Sequence, residues 1–144
     1  NGVGVELPSI KDVLEIGKGR VIKEGKKVAI INFGNRLEQC IKASEILYKK
    51  GIDISIIDAR FAKPLDEKLI METANNHDAL ISIEEGSIGG FGSHVMQFLS
   101  DRCVFDRGLK FRSMFLPDLF IVQHPPEKMY EKARLDFLSI TNKV

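Results

Sequence analysis

The chain has 144 residues, of which 44% are hydrophobic and 28% are charged, and its formal net charge is +1. This length and composition are typical of one globular domain. The near-neutral charge gives no general reason to expect a nucleic acid or an anionic membrane as partner, and no apolar run approaches the ~20 residues that span a bilayer.

The first 19 residues are rich in glycine and have no sustained hydrophobic periodicity. This composition predicts an extended linker over residues 1–19 and a folded domain over residues 20–144. The sequence opens with Asn1 and Gly2, with no initiator methionine and no charged segment followed by an apolar one. We therefore expect it to begin inside a longer chain.

A short strand is expected at Arg20–Glu24, followed by a stronger one at Lys27–Phe33. The near-continuous apolar run of the second strand is typical of a parallel strand that is buried on both faces. Asn35 is a candidate N-cap for a helix whose apolar residues follow helical spacing from Leu37. The cations and the glycine of Lys49–Gly51 predict its end.

Strands and helices continue to alternate along the rest of the chain. The remaining predicted elements are a strand at 52–59, a helix capped by Asp66, a strand at 79–83, a glycine turn at 86–92, a helix at 93–101, a strand at 111–116, a helix starting at Pro126 and a last short helix from Asp136. This alternation indicates βαβ units. We predict a three-layer α/β/α sandwich with a mostly parallel sheet of about five strands.

The glycine turn from Gly86 to Gly92 lies between a predicted strand and a predicted helix, where open α/β sheets bind ligands. Backbone N–H groups at the helix start can receive an anion. The glycine spacing does not match the dinucleotide fingerprint or the P-loop, and the carboxylates of Glu84 and Glu85 would repel a phosphate. The favoured interpretation is that the glycines let the backbone pass close to another surface, with a small-anion site as the alternative.

The ionisable side chains give no assembled catalytic group. Glu84 and Glu85 are adjacent on a strand and point to opposite faces, which favours interfacial hydrogen bonding over an acid/base pair. The three histidines, His77, His94 and His124, lie on different elements, and none has the spacing of a helical metal site. His94 is expected to be a first-turn helix residue bonded to a neighbour.

The stretch from Asp58 to Asp66 follows the carboxyl end of a predicted strand and contains two cations. Arg60 and Lys63 are able to bind a phosphate. They are equally able to pair with Asp58, Asp66 or Glu84, and ion pairs are the favoured interpretation.

Motifs for complete catalytic sites are missing from the sequence. It has no Gly-Asp-Gly run leading to an Asn, no Gly-x-Ser-x-Gly elbow and no zinc-ligand cluster. The two cysteines, Cys40 and Cys103, have no cysteine or histidine at metal-ligand spacing, and lone thiols are typical of a reducing compartment. These features favour a module over a complete enzyme.

Five stretches together resemble the last domain of the 1-deoxy-D-xylulose-5-phosphate synthases, thiamine-diphosphate enzymes of the transketolase family. They are residues 2–5 (GVGV), 16–20 (IGKGR), 58–66 (DARFAKPLD), 84–94 (EEGSIGGFGSH) and 116–118 (LPD). The resemblance covers essentially the whole chain. It departs near Gln123 and His124, where the family often has Asp-His-Gly, and at Leu119 and Arg134, where it often has Arg and Gly.

The resemblance implies a dimeric enzyme of three domains that uses thiamine diphosphate and magnesium. Such an enzyme condenses pyruvate with glyceraldehyde 3-phosphate, releases carbon dioxide and supplies non-mevalonate isoprenoid, thiamine and pyridoxal synthesis. Its cofactor and substrate-phosphate residues lie in the first two domains, and none maps onto this chain. We therefore expect no catalytic, cofactor-binding or metal-binding residue here, an inactive fragment, and a location in the bacterial cytoplasm or a plastid-type organelle without secretion.

The expected role of the domain is to pack against the middle domain and to contribute to the dimer contact at the carboxyl ends of the strands. The candidate interface residues are Asp58, Arg60, Phe61, Lys63, Glu84, Glu85, Ser87, Gly89, Gly90, Phe91 and His94. Two alternatives stay open: the related last domain of a 2-oxoacid dehydrogenase β subunit, and a stand-alone regulatory module that binds a small anion at the glycine turn.

Overall fold

The structure is a computed structural model that describes residues 13–144. Its elements are β1 (Arg20–Lys23), β2 (Val28–Phe33), α1 (Leu37–Lys49), β3 (Ser55–Asp58), α2 (Glu67–Asn76), β4 (Ala79–Glu84), α3 (Phe91–Ser100), a short 3-10 helix (Val104–Arg107), β5 (Lys110–Met114), α4 (Pro126–Lys132) and α5 (Phe137–Lys143). The predicted linker lies mostly outside the described residues and stays a prediction. Residues 13–19 contain a turn at Ile16 and Gly17 but no helix or strand.

The five strands form one sheet in the order β1-β3-β2-β4-β5. β2, β3, β4 and β5 pair in parallel, and β1 pairs with β3 in the antiparallel direction. The predicted fold, a mostly parallel five-stranded sheet with helices on both faces, is confirmed. Because β1 runs against β3, with Arg20 opposite Asp58, the chain enters the sheet at the edge where the parallel strands end.

Alternate side chains of the central strands supply two separate cores. On one face, Ile31 and Ile57 pack with residues of α2 and α3. On the other face, Ile30 and Ile56 pack with residues of α1, α4 and α5. The near-continuous apolar run of β2 follows from this arrangement, because a strand covered by helices on both sides buries every side chain.

Three of the predicted helix starts agree with the structure, and one of them is Pro126, where α4 begins. Asp66 caps α2 by accepting a hydrogen bond of 3.1 Å from the Leu69 N–H, and Asp136 caps α5. The predicted cap at Asn35 is wrong, because Arg36 is the N-cap of α1 and makes no side-chain cap bond. The Arg36 side chain instead extends to Glu85, the residue after β4, a contact that local sequence does not encode.

Helix α3 begins at Phe91, two residues before the predicted start, because the Phe91 N–H already has a hydrogen-bond acceptor in Glu84. Across residues 13–144, the structure contains no helix with the length and apolar character that a membrane crossing requires.

Candidate functional site at the carboxyl edge of the sheet

Most of the chemically distinctive residues lie along one edge of the sheet. The parallel strands β2, β3 and β4 end there at Phe33, Asp58 and Glu84. Parallel strands have their carboxyl ends at the same edge, so the loops that follow β3 and β4 are neighbours. The two stretches predicted from sequence, 58–63 and 84–94, are thus brought together at this carboxyl edge.

Glu84 is buried at the end of β4 and caps the N-terminus of α3. Its carboxylate accepts the Phe91 N–H at 2.9 Å and the Gly92 N–H at 2.8 Å. The amide groups at a helix start carry partial positive charge and favour an anion there. In this chain the anion is the protein's own carboxylate, which occupies the position that a bound phosphate would take.

The glycines of the turn make room for this carboxylate. A Cβ atom at Gly90 would lie 2.2 Å from Glu84 Oε2, and one at Gly86 would lie 2.6 Å from it. The close approach that these glycines permit is to a buried side chain of the same segment, and the predicted approach to another surface stays a prediction. The turn is further fixed by a hydrogen bond of 3.1 Å from the Gly89 N–H to Ser93 Oγ.

Glu85 points to the opposite face, as strand alternation requires. Its Oε1 lies 3.0 Å from Arg36 Nε, an ion pair without aligned hydrogen-bond geometry, and Tyr130 donates its hydroxyl proton to the same carboxylate. The Arg36 guanidinium also stacks 3.4 Å from the centre of the Tyr130 ring. Because its hydroxyl donates to Glu85, the pKa of Tyr130 is raised above its ordinary value.

Arg36 and Tyr130 are site residues that sequence reasoning missed. Each comes from a different element, one before α1 and one within α4, and neither lies in a distinctive motif. The only available signal was an arginine and a tyrosine on segments expected to border the same edge. That signal was too weak to pair them with Glu85.

A groove of about 560 Å³ opens beside the glycine turn on the α3 side. Its floor includes Phe33 and Phe91, whose rings stack with centroids 5.1 Å apart. Lys63 and the half-buried His94 also line it. His94 is in the first turn of α3, as predicted, with its backbone N–H bonded to Gly90.

The two cations after β3, Arg60 and Lys63, have different contacts. The Arg60 backbone N–H donates to Asp58 Oδ1 at 3.3 Å, and its Nε lies 3.9 Å from Asp58 Oδ2, so the predicted ion pair is present. Asp58 also accepts a 3.1 Å hydrogen bond from Arg20 Nε. Lys63 is exposed at the groove. Phe61, which follows Arg60 in the sequence, is half-buried.

The segment that enters the domain is held at the same edge. Gly17 has a φ of +75° and lies against Pro64, where a Cβ atom would approach Pro64 Cγ to 2.7 Å. The Gly19 N–H donates to Asp66 Oδ2 at 3.1 Å, and Lys18 Nζ lies 3.9 Å from Asp66 Oδ1. Asp66 thus joins the entering segment to the start of α2.

The side chains in the described part of the chain do not fit a thiamine diphosphate or magnesium site. Within residues 13–144, no three histidine, cysteine, aspartate or glutamate side chains are grouped to hold a metal ion. The helix start that would suit a diphosphate already binds Glu84. His77 hydrogen-bonds the Thr73 carbonyl and Ser55 Oγ away from this edge, and His124 is exposed in a loop.

Comparison with known families identifies the domain. Residues 17–140 match the family described as "Transketolase, C-terminal domain". The chain belongs to this family. The predicted transketolase C-terminal fold is thereby confirmed, and the chain is a transketolase-family domain. The narrower resemblance to the synthases stays a prediction.

Solved structures agree with the family. The chain is similar to the "Split gene transketolase, inactive beta4 tetramer", with 30% identity and a TM-score of 0.83 over 95% of this chain and 44% of that one. A transketolase from Campylobacter jejuni subsp. jejuni NCTC 11168 shares the fold, with 13% identity and a TM-score of 0.63 over 88% of this chain and 18% of that one. The chain therefore spans less than half the length of these relatives.

Proposed function

We propose that this chain is the C-terminal domain of a 1-deoxy-D-xylulose-5-phosphate synthase, and that its carboxyl edge docks it onto the rest of that enzyme. The parent enzyme would condense pyruvate with glyceraldehyde 3-phosphate and release carbon dioxide, as a homodimer in the bacterial cytoplasm or a plastid-type organelle. Membership of the transketolase C-terminal family supports the enzyme class. The stretches at 58–66 and 84–94 support the synthase over other members.

The observation that carries the docking role is the position of the Glu84 carboxylate. It satisfies two amide groups at the start of α3 and places a negative charge where a phosphate would bind. A second anion at that point would meet like-charge repulsion and would find those amides already bonded. This arrangement favours an edge built for packing over a small-anion site.

When bound to the parent enzyme, thiamine diphosphate supplies the electron sink for decarboxylation. Under the proposal, residues outside this chain hold that cofactor and its magnesium ion. The residues of this chain supply a rigid edge: Glu84 fixes the glycine turn, and Glu85 fixes α4 through Tyr130. A fixed edge lowers the ordering cost of docking and so helps to hold neighbouring domains in one arrangement.

The test compares the 144-residue chain with the full-length polypeptide. Carbon dioxide release from pyruvate is measured with thiamine diphosphate and magnesium, with and without glyceraldehyde 3-phosphate, and light scattering gives the mass of each protein. We expect turnover that depends on glyceraldehyde 3-phosphate from the full-length protein only. Turnover by the 144-residue chain alone would refute the docking role.

Two other outcomes would favour the alternatives. Release of carbon dioxide without glyceraldehyde 3-phosphate, together with binding to an acyltransferase core, would identify a 2-oxoacid dehydrogenase β subunit. A rise in the melting temperature of the 144-residue chain on addition of inorganic phosphate would identify an anion-binding module, because a ligand that binds only the folded state stabilises it.

A further inference from the structure

A groove of about 620 Å³, here called the β5 groove, lies between the end of β5 and the segment that joins α4 to α5. β5 is the outermost strand on one side of the sheet, and the entering segment leads into β1 on the other side. The apolar lining residues are Met114, Phe115, Pro117, Ala133 and Leu135, and the ionisable ones are Glu131, Arg134 and Lys143. A mixed lining of this kind is typical of a site for a small molecule with an apolar body and a polar head.

The charges of the lining favour an anion. Arg134 and Lys143 are both exposed, and within residues 13–144 neither is part of an ion pair. Glu131 is the one carboxylate of the lining, so positive charges outnumber negative ones there. Two cations beside a partly apolar wall attract an anionic group more strongly than cations in bulk water do.

The backbone of Arg134 shows that its side chain is kept at a cost. Arg134 follows the C-cap of α4 and has a φ of +58°, in the left-handed region that favours glycine. Its N–H donates to the Glu131 carbonyl at 3.0 Å, and the Leu135 N–H donates to the Tyr130 carbonyl at 2.9 Å. This is the Schellman arrangement, in which glycine is the usual residue at the position of Arg134.

Helix termination does not account for an arginine at this position. A cation near the C-terminus of a helix interacts favourably with the helix dipole, but Lys132 already supplies one in the last turn of α4. Arg60 has a similar φ of +57°, and its guanidinium pairs with Asp58 of the same chain. Arg134 combines the same backbone conformation with a cation that lines a groove. A residue held in an unfavourable conformation at a cavity indicates a function for its side chain.

We propose that the β5 groove binds a small organic phosphate. Arg134 would donate two parallel hydrogen bonds to the phosphate oxygens, and Lys143 would add a second positive charge. A phosphate monoester carries close to two negative charges at pH 7, which matches these two cations. Phe115 and Pro117 would cover the carbon body, which is expected to be uncharged because Glu131 repels a further anionic group. This site lies outside the docking edge and does not depend on the identity of the parent enzyme.

The first test is titration of the 144-residue chain with phenyl phosphate, followed by calorimetry and by ¹⁵N–¹H NMR spectra. We expect saturable binding with amide shifts in residues 113–117, 131–135 and 139–143. Inorganic phosphate has no apolar body to bury and should bind roughly tenfold or more weakly. Absence of saturable binding, or shifts confined to residues 86–94 at the glycine turn, would overturn the proposal.

The second test compares Arg134→Gly with Lys27→Gly, because Lys27 is also an exposed cation with a left-handed φ of +61° and does not line the groove. Both changes relieve an unfavourable backbone conformation, so each should raise the melting temperature of the ligand-free chain by up to about 4 °C. Only Arg134→Gly should weaken phenyl phosphate binding, by roughly tenfold or more. A variant that gains stability has not lost binding through misfolding. Equal affinities of the two variants would overturn the proposal.

The third test asks whether the β5 groove is open in the full-length polypeptide. Saturating phenyl phosphate should slow hydrogen exchange of residues 139–143 in the full-length wild type and in Lys27→Gly, and should not do so in Arg134→Gly. Unchanged exchange in the full-length wild type would overturn the proposal. These measurements involve no turnover, so their failure would leave the synthase assignment standing, and absence of turnover would leave the groove proposal standing.

Discussion

At the scale of single residues, one carboxylate organises the glycine turn. Glu84 accepts two backbone hydrogen bonds, and its Oε2 atom lies where side chains at positions 86 and 90 would otherwise be. A buried carboxylate loses its hydration, so bonds to oriented amide groups are needed to offset that loss. The turn and the start of α3 are therefore coupled through this side chain.

Replacing Glu84 with glutamine tests this coupling. The amide keeps one acceptor oxygen but turns an NH₂ group toward a backbone N–H, so one buried donor loses its partner. We expect Glu84→Gln to lower the free energy of unfolding by about 1–3 kcal/mol in urea titrations. Glu127→Gln, on the exposed face of α4, should change it by less than about 0.5 kcal/mol. Equal effects of the two changes would contradict the role of Glu84.

Gly90→Ala gives a second prediction about the same carboxylate. The φ of Gly90 is −82°, outside the left-handed region, and a Cβ atom there would approach Glu84 Oε2 to 2.2 Å. We expect the loss of stability to be much smaller in a Glu84→Ala background, giving a coupling energy of about 0.5–3 kcal/mol in a double-mutant cycle. Gly89→Ala, where the cost is the φ of +93° and no atom lies within 4 Å, should be the same in both backgrounds.

At the scale of elements, the hydrogen bond from Tyr130 to Glu85 connects α4 to the residue that follows β4. Tyr130→Phe removes the hydrogen bond to Glu85 and leaves the ring that stacks on Arg36, so we expect a loss of about 1 kcal/mol at pH 8. The raised pKa means that the folded state retains the phenol proton more strongly than the unfolded chain. The stabilisation is therefore complete below the unfolded pKa of about 10 and is lost as pH rises through the folded pKa.

Urea titrations at pH 8 and above pH 10 measure this dependence. The difference in unfolding free energy between the wild type and Tyr130→Phe should shrink at the higher pH. Tyr48→Phe is the matched control, because Tyr48 is exposed and its ring faces Lys23. A difference that stayed constant with pH would argue against the hydrogen bond.

Asp66 connects two elements, because one oxygen caps α2 and the other binds the entering segment. We expect Asp66→Ala to cost about 1–2 kcal/mol and to speed hydrogen exchange at both Leu69 and Gly19. Asp136→Ala removes the cap of α5 and should affect Leu138 and its neighbours only. Unchanged exchange at Gly19 in the Asp66 variant would show that the entering segment is held by other contacts.

At the scale of the whole molecule, helices on both faces cover the sheet. The reactivity of the two cysteine thiols tests how well that cover protects the interior. Cys40 is fully buried on the inner face of α1, and burial raises the pKa of its thiol to about 12. Cys103 is exposed. A thiol reagent at pH 8 should therefore modify Cys103 quickly and Cys40 only through unfolding, since the thiolate is the reactive form.

Mass spectrometry of labelled protein over time checks this prediction. One fast and one slow modification are expected, and Cys103→Ser should remove the fast one. Addition of urea below the midpoint should speed the slow one, as the unfolded population grows. Labelling of both thiols at one rate would mean that α1 opens without global unfolding.

Much of the fold was present in local sequence patterns. The apolar runs of β2 and β4, the cap at Asp66 and the proline at the start of α4 each depend on a few neighbouring residues, and each was predicted close to its place. Adjacent positions on a strand face opposite ways, so the separation of Glu84 from Glu85 also followed from sequence alone. Glycines near two carboxylates indicated a close approach, although not to which surface.

Only the tertiary structure decided which distant groups meet at the carboxyl edge. Arg36, Glu85 and Tyr130 come from three segments, and their contact depends on how α1 and α4 pack on the sheet. The contact between Glu84 and the N-terminus of α3, and the exposure of Phe120, depend in the same way on the positions of loops in the folded chain. Patterns of two to four residues encode local hydrogen bonds and burial, whereas contacts between distant segments are set by the packing of the whole chain.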